Sequence, residues 1–163
     1  MHPYASAIET VLATLRDQVL AALTGIPEAD LATWRTAEAH GDINTMYGLA
    51  THIVGSGEFW ILEAAGGRDV HRQRLAEFTA SGSMDELRAR FDRLLADTHE
   101  VLARLTDDDL NAMFRRDANS SQGIGAVERT VAECLVHALT HIALHLGHLQ
   151  IQRQLWEQER GQG

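Results

Sequence analysis

The chain contains no lysine. All 14 basic residues are arginine, against 23 acidic ones. Schiff-base catalysis and the phosphate-gripping lysine of a P-loop are therefore excluded, and arginine is left to hold any anionic substrate. Cysteine is nearly as scarce, with Cys134 alone among 163 residues, so no disulfide can form within the chain and the usage fits a reducing compartment. The N-terminus lacks the basic-then-apolar pattern of a secretory signal, and no stretch reaches 18 uninterrupted apolar residues. The chain thus reads as a soluble cytoplasmic protein with no membrane partner. Clustered cations are missing too: a formal charge of −9 argues against nucleic acid as a partner, because phosphate binding needs them.

What is present is helical periodicity. At 163 residues the sequence fits a single domain over 1–163, able to bury roughly 70% of its unfolded surface. Four long segments carry apolar residues at spacings of three and four, and almost nothing reads as strand. The first runs from about Tyr4 to Leu23 and is ended by Gly25 and Pro27, with a short helical turn expected at Glu28 to Trp34. The second runs from about Thr45 to Ala65, with Asn44 as the expected N-cap and Gly66 and Gly67 as the stop. Gly48, Gly55 and Gly57 weaken it by roughly 1 kcal/mol each relative to alanine, which suggests close approach of a neighbour or ligand. The third starts at a capping box, Ser83 with Glu86, and reaches about Leu105. The fourth starts at another, Thr130 with Glu133, and reaches about Gln158. Asp107 to Asp109 read as a solvated turn and cap. Connections near 66–82 and 106–129 are long for a bundle and suit a pocket mouth. The pattern predicts an all-α, antiparallel four-helix bundle.

The fourth segment carries the chemistry. His141 and His145 lie four residues apart, one helical turn, so both imidazoles can converge on one ion. Cys134, His137, His148 and Gln152 share their face. Leu135, Ile142, Leu146 and Leu149 flank this stripe on one side, and Leu144, Ile151 and Leu155 on the other. A polar stripe bordered by leucines on both sides is expected to face a pocket in the core. Whether His137, His148 or Cys134 joins the site stays open at this stage. Cys134 in the first turn has two readings, a thiol acidified by the helix dipole and the commoner small buried hydrophobe.

The metalloprotease motif HisGluxxHis is absent, since Ala138 follows His137 and Ile142 follows His141. The paired Glu-x-x-His motifs of di-iron bundles are absent as well. That leaves a mononuclear, histidine-rich site needing a ligand from another helix. His52, in the middle of the second core helix, is the best candidate. Glu58 lies about 120° around the helix from His52 and Glu63 about 16 Å further along, so neither is expected to join it.

Two segments, LeuAlaThrHisIleValGlySerGlyGluPheTrp around His52 and LeuValHisAlaLeuThrHisIleAlaLeuHisLeuGlyHis around His141, resemble the signature segments of the DinB-like metalloprotein superfamily, in the same order and separation. The resemblance covers roughly residues 4–156. It implies a four-helix bundle of up-down-down-up topology, often dimeric, with a divalent metal held by His52, His141 and His145. His137 matches a histidine that is not usually a ligand, and His148 stands where glutamine is common.

Three neutral imidazoles around a tetrahedral ion leave an open position, as at catalytic zinc. Such an ion can lower the pKa of water or of a thiol. Zinc is the first expectation, with nickel and iron as further fits. Some relatives in the superfamily are mycothiol- or bacillithiol-dependent transferases and isomerases, so the resemblance implies a low-molecular-weight thiol S-transferase or isomerase acting on a small electrophile. The alternatives are a non-catalytic, stress-associated metal-binding protein and a metal-dependent hydrolase. A homodimer is the expected assembly. Arg153, near the pocket helix, is read either as a carboxylate binder or as a solvated or dimer-facing side chain.

Overall fold

Helix starts are set by side chains that meet the otherwise unpaired amides of the first turn. The computed structural model describes residues 3–36 and 43–161. Its elements are α1 (Pro3–Leu23), α2 (Glu28–Thr33), α3 (Met46–Gly57), a π-helical continuation (Glu58–Ala65), α4 (Arg74–Glu77), α5 (Met84–Leu102), α6 (Asp107–Asn111), β1 (Met113–Arg116), a 3-10 turn (Ser120–Gln122), β2 (Val127–Thr130) and α7 (Val131–Gly161). Both expected capping boxes form: Ser83 with Glu86 opens α5, and Thr130 with Glu133 opens α7. The acidic run 107–109 supplies a third, with Asp109 returning to Thr106. The N-cap of α3 is Thr45, which accepts from the Gly48 amide, and not Asn44. The Asn44 carbonyl instead accepts a hydrogen bond from Gln152 Nε2 at 2.8 Å.

The bundle topology follows from cross-helix pairs. His52 and Trp60 meet His141 and His137 in the reverse order, so α3 and α7 are antiparallel. Tyr47 reaches Ser83 while Gly66 faces Val101, so α3 with its π-helical continuation runs parallel to α5. Arg16 pairs with Asp92 and Glu9 with His99, so α1 and α5 are antiparallel. The result is the expected up-down-down-up bundle, with one hydrophobic cluster drawing on all four long helices, including Leu12, Ile53, Phe59, Phe91, Leu94 and Ile142.

Every residue of α3 is buried, so this helix is the centre of the bundle and not a half-exposed wall. Past Gly57 the turn widens, and the Gly66 amide bonds back five residues to the Ile61 carbonyl. The wider turn lets four consecutive side chains, Phe59, Trp60, Ile61 and Leu62, all be buried. A strictly α-helical reading of 45–65 does not anticipate this.

The long connections are folded over one flank. Strands β1 and β2 pair antiparallel, from Met113 opposite Thr130 to Arg116 opposite Val127. Four residues of weak alternation, much of it arginine and glutamate, are too short for the period to stand out in sequence. The ribbon docks on the bundle through Phe114 against Phe59 and through Arg116, which donates to Glu63 at 2.6 Å.

The glycines of α3 permit close packing. A Cβ on Gly48 would stand 2.7 Å from the backbone oxygen of Phe78, and one on Gly57 would stand 2.7 Å from Leu94 Cδ2. Helix propensity alone makes Gly48→Ala stabilising by about 1 kcal/mol. The clash with main chain reverses the sign, and urea denaturation is expected to give a net loss of about 1–3 kcal/mol.

Candidate metal centre

The middle of α3 and the middle of α7 face each other at His52. His52 is 3% exposed, and its Nε2 lies 3.1 Å from His141 Nε2. His145, one turn further along α7, packs edge-on to both, with ring centroids 4.9 Å from His52 and 4.4 Å from His141. Ligand atoms of the three rings all lie within 4.8 Å of one another. Ligand nitrogens of a tetrahedral ion with Zn–N near 2.0–2.1 Å stand about 3.3 Å apart, so the His52–His141 separation suits shared coordination.

The protonation pattern agrees with a cation. His52 Nδ1 donates to Glu77 Oε2 at 2.8 Å. An ionised carboxylate only accepts, so Nδ1 carries a proton and Nε2 is the ring nitrogen turned toward His141. Burial, reinforced by the neighbouring imidazoles, pushes His141 down to about 3 and His145 down to about 4. His141 and His145 are thus neutral in the folded chain, and ring nitrogens of all three histidines converge on one point. A divalent ion fits that donor set.

Glu77 and Arg72 belong to the site and are not anticipated from sequence. Arg72 forks onto the carboxylate, Nε to Oε1 at 2.7 Å and Nη2 to Oε2 at 2.8 Å, with side chains 7% and 5% exposed. Burial alone would raise the Glu77 carboxyl, but hydrogen bonds from His52 and Arg72, with the arginine charge, outweigh it and hold the pKa below its usual value. Local backbone sets up the pair. His71 has φ 45°, and its amide bonds to Asp69 at 2.9 Å, a left-handed turn that immediately precedes Arg72. Phe78, next to Glu77, stacks on the His52 ring at 4.6 Å. The one sequence signal for this neighbour is Gly55, where a Cβ would stand 2.9 Å from Glu77 Cδ.

The remaining candidates spread outward. His137 packs edge-on against Trp60 at 4.4 Å and its ring has no hydrogen-bond partner among the described residues. His148 is exposed, with Nδ1 3.3 Å from His145 Nδ1. Cys134 is fully buried and burial pushes its thiol up, so the hydrophobe reading holds and the acidified thiol does not. Glu58 pairs with Arg90 and Glu63 with Arg116, both at 2.6 Å and both away from the triad. Arg153 donates to the carbonyls of Ala21, Ala22 and Thr24 and to the Glu157 carboxylate at 2.7 Å, which makes it a cap on the C-terminal end of α1 with its own acidic partner. Leucines on both sides do not bury the whole stripe: Leu144 is 58% and Ile151 56% exposed, because that flank faces away from α1 and α3.

A cavity of about 380 Å³ opens beside the triad, lined by His52, Ser56, Arg72, Arg74, Arg129, His137 and His141 among others. The fold and site together define an all-α bundle protein with an inward-facing three-histidine cluster shared by two helices. The model of the DinB superfamily matches residues 11–149, and the chain belongs to that superfamily. No curated protein matches it. No helix among the described residues is long and apolar enough to cross a membrane.

The depressed histidines make metal-free stability pH-dependent. Unfolded histidines take protons near pH 6.5, whereas folded His141 and His145 do so only near 3 and 4. The unfolded state therefore binds more protons across that window, and stability falls as pH drops through it. The Tm of chelator-treated protein is expected to fall between pH 7 and pH 5, less steeply in the His141→Ala, His145→Ala double variant. Equal slopes in the two proteins would contradict neutral imidazoles in the folded state.

Proposed function

We propose that this chain is a divalent-metal-dependent enzyme that activates a low-molecular-weight thiol toward a small electrophile, by S-transfer or thiol-assisted isomerisation, with His52, His141 and His145 as ligands. The observation that carries the proposal is the convergence of three imidazoles on one point, two of them, His52 and His141, lining a cavity. A bound ion would supply Lewis-acid charge that favours the thiolate over the thiol.

In a transfer, the S–H proton leaves, the sulfur pair forms the new C–S bond, and the leaving group departs with its bonding pair. The protein's own side chains orient and confine these partners. Glu77 fixes the tautomer and ring plane of His52, and Arg72 fixes Glu77. His137, with a lowered pKa caused by burial and then by Arg129, lines the cavity as a neutral imidazole able to accept the thiol proton. Trp60 and Phe59 form apolar wall. Both oxygens of Glu77 are held by Arg72 and His52, so a metal-dependent hydrolysis, the alternative reading, would also have to use His137 as its general base.

Zinc is the ion we assign, with nickel and iron as the other outcomes of metal analysis on protein purified without a nickel column. One ion per chain is expected, and His52→Ala should abolish it; unchanged metal content in that variant removes the three-histidine assignment. Glu77→Gln should keep the ion but weaken its affinity about 10–100-fold, measured by chelator competition. A panel of thiols and electrophiles is expected to give thiol-dependent product that vanishes in His141→Ala. Metal binding without turnover for any thiol favours the non-catalytic alternative. The homodimer belongs to the same proposal, and light scattering in solution decides it.

A further inference from the structure

Three arginines line the cavity beside the triad: Arg72, Arg74 and Arg129. Arg72 is neutralised by Glu77. The other two have no carboxylate within ion-pair distance among the described residues, although this chain carries 23 acidic side chains to 14 basic ones. Glu128, the one acidic residue on the wall among the described residues, pairs with Arg115 at 2.9 Å. An acidic protein therefore keeps a locally cationic cavity at its histidine cluster.

Both guanidinium groups are held in place by rings that themselves pack on site histidines. Arg74 lies over Phe78 at 5.2 Å, and Phe78 stacks on His52. Arg129 lies over Trp60 at 5.5 Å, and Trp60 packs on His137. A guanidinium resting on an aromatic face is positioned without consuming its N–H donors. Arg74 spends one, on the Gly123 carbonyl at 3.2 Å, and Arg129 has no hydrogen-bond partner on its side chain among the described residues. A third donor points to the same ligand chemistry. Ser56, one turn after His52 and 1% exposed, lines the cavity, and its buried hydroxyl has no hydrogen-bond partner among the described residues. An unmet buried hydroxyl is costly unless a ligand meets it.

We propose that the cavity binds a small molecule bearing a carboxylate, held by Arg74 and Arg129 with the Ser56 hydroxyl as a further donor, its reacting end directed at His52, His141 and His145. This names the substrate class for the thiol-transfer reading and rests on it. The acid group can belong to the thiol or to the electrophile, and the same residues would recognise either.

Isothermal titration with matched probes tests the assignment. On zinc-loaded protein, 3-mercaptopropionate is expected to bind at least tenfold tighter than 3-mercapto-1-propanol if the acid is on the thiol. On metal-free protein, succinate is expected to bind where succinamide does not, whichever partner carries the acid. Arg74→Gln and Arg129→Gln should each cut the preference about tenfold, and Ser56→Ala should weaken succinate severalfold, with zinc content and circular dichroism unchanged. Arg104→Gln, which removes an exposed arginine that does not line the cavity, should leave the preference intact. Equal binding of succinate and succinamide overturns the inference, as does an equal loss in Arg104→Gln. Failure to bind zinc, with the succinate preference retained, overturns the metal-dependent reading and leaves the carboxylate site standing.

Discussion

Everything at the site depends on one buried carboxylate. Glu77 is 5% exposed, and an ionised carboxylate there is tolerable only with full compensation, because burying a lone charge costs several kcal/mol. Arg72 supplies the charge in a two-pronged contact, and the Nδ1 proton of His52 supplies the remaining donor. The arrangement works in both directions. The carboxylate accepts from His52 Nδ1 and so turns Nε2 toward α7, and the need to pair the carboxylate brings the 72–78 segment against α3. Removing one member leaves the others buried and unpaired, so the three side chains act as a unit.

That unit explains the glycines of α3. A helix buried on every side must admit neighbours at backbone distance, and each glycine faces a particular one: Phe78 carbonyl at Gly48, Glu77 at Gly55, Leu94 at Gly57. The intrinsic helix cost of glycine is about 1 kcal/mol per residue. Two of the three positions give room to the segment that carries Glu77 and Phe78, so most of that cost is tied to positioning His52. The third seats α5 against the helix just where the turn widens into π geometry.

The parts of this architecture visible in sequence are those with a period or a local rule. The amphipathic spacing of α1, α5 and α7 marks three walls, the Ser83 and Thr130 boxes mark two starts, and the i,i+4 pair on α7 marks the site. His52 was reachable because it is a histidine alone in an apolar segment. Arg72 and Glu77 were not, since a four-residue helix in a connection has no period and a salt bridge between elements leaves no spacing to read. The short β-ribbon was hidden for the same reason. The outer flank of α7 marks a limit of the projection argument: a wheel locates a stripe but not which side of it neighbouring helices will cover, and Leu144 and Ile151 fall on the uncovered side.

Charge balance then constrains what the centre can favour. His52, His141 and His145 would bind a divalent ion as neutral ligands, contributing no negative charge. The carboxylate hydrogen-bonded to the triad, Glu77, is already matched by Arg72, and Arg74 and Arg129 add positive charge at the cavity wall. The ion's charge would therefore remain almost wholly uncompensated by protein, in a partly buried setting where screening by water is weak. Carboxylate-rich sites neutralise their metal internally and have little preference for an anion. With a metal bound, the balancing negative charge would have to arrive with the ligand, which would favour a thiolate over a thiol on the ion and an acid over a neutral group beside it. The same electrostatic demand would join the proposed thiol chemistry to the proposed carboxylate subsite.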